Sequence, residues 1–218
     1  QLGTGSLSFN TGALAVAGGD VTTTKTMSLT NTATLNVDTS RTLTANGVLS
    51  GTGQLIKTGA GTFIPSQTNT YSGGTALLGG TCIISADSQL GTGGLSFNAA
   101  TLNVASDVTT AKTISLSGAG TIDVDTAATF LSTGTMAGSG QLIKTGQGNC
   151  TFSGASTHTG GVNLTEGNCT ITTGSALGTG TITLSGGGLT TQGSIATAQN
   201  IAVNSSSTIS MQSDYTLN

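Results

Sequence analysis

One histidine, His158, and two closely spaced carboxylates, Asp123 and Asp125, are the side chains of this 218-residue chain that most invite chemistry. An imidazole can move a proton or hold a metal, and two carboxylates on one face can divide acid and base work in polysaccharide cleavage. A metal needs two or three more ligands, and a nucleophilic triad needs an ordered base and acid; one histidine supplies neither. His158 also has a counterpart. KTGAGTFIPSQTNTYSGGT at 57–75 returns at 144–162 as KTGQGNCTFSGASTHTGGV, with His158 where Tyr71 stood. The slot is expected to take a flat ring packed on a turn.

Asp123 and Asp125 share an outward face if Val124 between them points inward. The first copy has Asn36 and Asp38 there and the third has Ser210 and Gln212, while Asp20, Asp87, Asp107, Glu166 and Asp214 are spread along the chain. The pair reads as a solvated face, ahead of a weak Ca²⁺ contact or a hydrolytic pair. Asp38 lies 19 residues before Lys57 and Asp125 lies 19 before Lys144, which suggests surface ion pairs worth about 0–1 kcal/mol each. No catalytic, cofactor-binding or metal residue is assigned, and no cofactor is expected.

What positions these residues is a repeat. QLIKTG begins at Gln54 and again at Gln141, Lys25 and Lys112 keep the same offset of 87, and Gln1 matches Gln89. Residues 1–53 and 141–218 are then partial copies and 54–140 a full one, within one continuous segment. A chain opening inside a copy reads as an excerpt of something longer. Within each copy short alternating triplets recur (LSF at 7, MSL at 27, LNV at 35, LIK at 55, TFI at 62, CII at 82), punctuated by Gly, Asn, Ser and Thr. These are strand signals, and no helical period occurs. Leu7 to Met27, Leu35 to Leu55 and Phe63 to Cys82 are steps of 20, 20 and 19 residues. The expected fold is an all-β parallel β-helix, a solenoid of about ten coils of roughly 22 residues, four to each long repeat.

Composition agrees. The chain has 35 Gly, 6% charged residues and a net charge of −3, against roughly 25% charged in an average domain. Five Lys plus Arg give no basic patch for nucleic acid. No run reaches the 18 or so apolar residues of a membrane helix. Glycine-rich stretches such as GAGT lack the P-loop lysine spacing and a following helix, so they read as turns. Thr-x-Thr pairs at Thr181 and Thr183 or Thr170 and Thr172 are too scattered for an ice-binding array, and the N-x-S/T triplets at Asn149, Asn163, Asn168 and Asn204 fit chance in a Thr-rich chain.

KTGAGT at 57–62, NTYSGGT at 69–75, GTCII at 80–84, QLGTG at 89–93 and SALGTGTITLSGG at 175–187 resemble the autotransporter-associated β-strand repeat, the passenger-associated transport repeat of bacterial autotransporter passengers. The resemblance covers about half of each copy; Pro65 and Cys150 depart from it. It implies a right-handed parallel β-helix at the bacterial outer-membrane surface or outside the cell. The expected function is a non-enzymatic structural segment of a long surface protein or fibre, stalk-like or adhesin-like; the alternative is a carbohydrate-active β-helix enzyme. Expected partners are neighbouring repeats of the same longer chain or identical chains stacked end to end, with host-cell or surface glycans or proteins beyond them, but no nucleic acid and no membrane contact.

The three cysteines test the coil register. Cys150 and Cys169 are 19 residues apart, like Phe63 and Cys82 at the aligned positions, so each pair should stack inward on adjacent coils. The compartment implied by the resemblance permits oxidation, and a Cys150–Cys169 disulfide and small apolar filler both remain open. Cys82, four coils from Cys169, is out of reach of it.

Overall fold

A computed structural model of the chain describes residues 5–192 and 198–212; Gln1, Asp214 and the ends of the first and third copies lie outside them. The described residues form short strands and one 3-10 turn, Asp87–Leu90. Every strand pairing is parallel. The chain winds as a β-solenoid of about ten coils, in which strands bond to strands of the adjacent coils.

Three sides make each coil. Side one opens with Leu7–Phe9, Met27–Leu29 and Leu49–Gly51. Side two is a seven-stranded sheet from Gly12–Val16 to Met136–Gly138, and side three a ten-stranded sheet from Val21–Thr23 to Ile201–Val203. From Val108–Thr110 onward a six-stranded sheet ending at Ile209–Gln212 takes the place in the circuit that side one held. The stretch around Tyr71, bonded to Leu49 and Gly51, and then Asp87–Leu90 with the turn after it separate the two parts.

Alternation explains the core. In Thr32–Val37 every second residue is buried, and so in Ala100–Val104. Inward columns such as Cys82, Leu102 and Ile122 stack in register on side three. Each fully buried Leu or Ile contributes about 1.5–3 kcal/mol, but only when a neighbouring coil covers it. The last described coil shows the converse, with Ile201, Val203, Ile209 and Met211 all exposed.

Two expectations need correction. Leu35 pairs with Lys57, and Ala33 with Leu55, so that step is 22 residues and the Leu35–Leu55 adjacency fails. Steps vary between 19 and 22 because the corner turns differ in length. An 87-residue repeat is also not four whole coils. From Leu7–Phe9 to Leu95–Phe97 the chain takes thirteen sides, four circuits and one side more. The aligned strands Leu7–Phe9, Leu95–Phe97 and Ile182–Leu184 therefore lie on sides one, two and three. Cys82 is consequently separated from Cys169 by a change of side as well as by coils. Pro65 ends the strand Thr62–Pro65, buried and opposite Ala45, where a missing N–H costs little ladder.

Candidate functional site

The two lysines expected at the surface are buried instead. Lys57 and Lys144 are 0% exposed, so neither forms the ion pair with Asp38 or Asp125. Alternation places them inward: Leu55 and Lys57 flank Ile56, and Leu142 and Lys144 flank Ile143. Each stem fills one place in an aliphatic column, Leu35–Lys57–Leu77 on side two and Ile122–Lys144–Leu164 on side three. The ammonium reaches the corner. Lys57 Nζ donates to the carbonyls of Thr58 at 2.8 Å, Gly59 at 2.9 Å and Gly79 at 3.2 Å. Lys144 Nζ repeats this to Thr145 at 2.6 Å, Gly146 at 2.8 Å and Glu166 at 3.4 Å.

The K-T-G triplet is thus one device, in which a glycine at φ 74° or 75° turns the corner and the lysine gathers the carbonyls left over. Burial lowers the Lys57 pKa to about 8 and lowers that of Lys144. Three carbonyl acceptors oppose the loss of the proton. Cys82 beside Lys57 is pushed up to about 12 by burial.

The second device is the ring slot. Tyr71 and His158 are both 0% exposed, as the shared motif led one to expect. Each ring lies on a turn glycine: a Cβ on Gly91 would stand 2.8 Å from the Tyr71 ring, and one on Gly178 2.6 Å from His158 Nδ1. Tyr71 Oη meets Thr75 Oγ1 at 2.6 Å, and Thr75 Oγ1 donates to the Leu90 carbonyl at 3.0 Å. Thr75 has one proton, so the tyrosine hydroxyl donates to it. In the next copy Val162 replaces Thr75, and both nitrogens of His158 lack a hydrogen-bond partner. Burial lowers the His158 pKa, against a smaller opposing influence from the Gly161 backbone.

Around the slot the regular strand gives way and side chains complete the ladder. Asn69 Oδ1 accepts from Leu49 N–H at 2.7 Å and its amide donates to the Gln89 carbonyl at 2.7 Å. One repeat later Ser156 Oγ accepts from Met136 N–H at 3.0 Å. A further clamp ties the following turn. Lys25 donates to the Gly5 carbonyl, Lys112 to that of Gly91, and Gln199 to those of Gly174 and Gly178. Lys112 also meets Asp87 at 3.3 Å. Sequence reasoning used Lys25 and Lys112 only to measure the repeat and passed over Asn69 and Ser156. The shared 87-residue offset was the signal available.

Asp123 and Asp125 do lie together on side three, flanking buried Val124. The Asn103 amide donates to Asp123 Oδ2 at 3.0 Å and to Asp125 Oδ1 at 2.7 Å, and Thr145 Oγ1 donates to Asp123 Oδ1 at 2.9 Å. Both carboxylates are used as acceptors between coils. Among the described residues no three His, Cys, Asp or Glu are grouped to hold a metal. Cys150 and Cys169 stack in register, as do Phe63 and Cys82, and all three thiols are free and buried.

An Adhesin BmaC autotransporter of Brucella suis biovar 1 (strain 1330) is 37% identical over 127 residues, 57% of this chain and 4% of that protein's length. No solved structure matches. Residues 55–81 and 142–168 each match the Passenger-associated-transport-repeat, and each match contains one corner lysine and one ring slot. The chain carries this autotransporter passenger repeat twice within a single β-solenoid.

Proposed function

We propose that the chain is a non-enzymatic structural segment of a long autotransporter passenger, displayed at the bacterial outer-membrane surface and serving as stalk or adhesive fibre. The observation that carries this reading is the use of the polar side chains: corner lysines, clamp residues, Asn69 and the Asp123–Asn103–Asp125 group all bond one coil to the next. The adhesin relative supports the surface role. The exposed apolar edge at Ile201, Val203, Ile209 and Met211 suits stacking on further coils, from neighbouring repeats of a longer chain or from identical chains. Host-cell glycans or proteins are the partners such a surface would meet.

The test is display and adhesion. The 218 residues, placed before an autotransporter barrel, should reach the cell surface, resist added protease as a folded unit, and increase attachment to host cells. Retention inside the envelope, or glycan cleavage lost in the Asp123→Ala, Asp125→Ala double variant, would overturn the reading.

A further inference from the structure

We propose that Cys150 and Cys169 are an oxidisable dithiol, which closes into a disulfide joining one coil of the solenoid to the next. The two residues are direct register partners on adjacent parallel strands, Asn149–Phe152 and Asn168–Ile171. Strands about 4.8 Å apart bring the α-carbons within the roughly 4.4–6.8 Å that a disulfide spans. Phe130 lies beneath the pair and Leu189 above it, so each thiol's only cysteine neighbour along the column is the other. The same two places one repeat earlier hold Phe63 and Cys82. Only the later copy can close.

The folded pair is sealed, with both residues 1% exposed. The neighbouring Cys150 thiol and burial raise the Cys169 pKa, against a smaller opposing pull from Lys144. Thiolate is the attacking form, so exchange belongs to the stage before the next coil covers the site. One thiolate attacks the sulfur of a small-molecule disulfide such as oxidised glutathione and expels one thiol. The second cysteine attacks the mixed disulfide and expels the other. The pair gives up two electrons and two protons, and the reagent becomes two thiols. That this happens during export rests on the surface reading above, whereas the pairing itself can be tested on the isolated chain.

The chain is unfolded in denaturant, refolded in a glutathione redox buffer, alkylated, and mapped as peptides without reduction. The expected product has one bridge, Cys150 to Cys169, with Cys82 alkylated, and a denaturation midpoint above that of the reduced chain. Cys82→Ala should keep both properties and Cys169→Ala should lose both. Three alkylated thiols after refolding, a bridge from Cys82, or a bridge that leaves the midpoint unchanged would each overturn the proposal.

Discussion

Lys57 shows how a charge can serve the inside of a solenoid. Its stem packs between Leu35 and Leu77, and its ammonium replaces water for three carbonyls at one corner. Truncating such a group leaves several acceptors unpaired at once, so Lys57→Ala should lose on the order of 3–5 kcal/mol of stability. Asp38→Ala, at an exposed residue, should stay within about 0.5 kcal/mol. Chemical denaturation of the two variants decides between a buried clamp and a surface ion pair; equal small losses would restore the ion pair. The alternation of L-I-K-T already pointed Lys57 inward. The preference of lysine for water argued the other way, and only the corner carbonyls, which composition does not reveal, reverse it.

The ring slot is a matter of elements, because ring, turn glycine and the residue four places on must agree. Tyr71 and Thr75 form one solution and His158 and Val162 another, less satisfied one. The folded pKa of His158 lies below the ordinary 6.5, so as pH falls the unfolded chain binds the proton first. This residue's contribution is intact above about pH 6.5 and declines below it. The paired change His158→Tyr with Val162→Thr should add about 1 kcal/mol through the restored hydrogen bond and flatten the loss between pH 7.5 and 5. Denaturation midpoints at both pH values give the answer, and an unchanged slope would remove His158 as its source. The repeated motif made the slot legible. It did not show that Asn69 and Ser156 would stand in for missing strand. Nor did the motif reveal the file of Thr42, Thr62, Thr81, Thr101 and Thr121 up side three, because threonine recurs at many other places in the chain and only the pairing picks out these five.

At the scale of the molecule, about ten coils at about 4.8 Å give a rod near 48 Å long. Along it the repeat turns as it climbs. Spin labels at the aligned outward positions Ser8, Ser96 and Thr183, on sides one, two and three, should give an end-to-end distance shorter than the sum of the two steps. A distance equal to that sum would mean whole coils per repeat. Coil number and strand order were readable from triplet spacing, but the extra side was not, since it accumulates from corners that differ by one or two residues. That extra side bears on mechanics. The ring-slot interruption falls on side one near Tyr71 and on side two near His158. A rod weakened always along one line would bend toward it; one whose weak places wind about the axis has no favoured direction. With the period continued, three repeats share the compliance among all three sides, and the 87-residue length keeps the shaft straight.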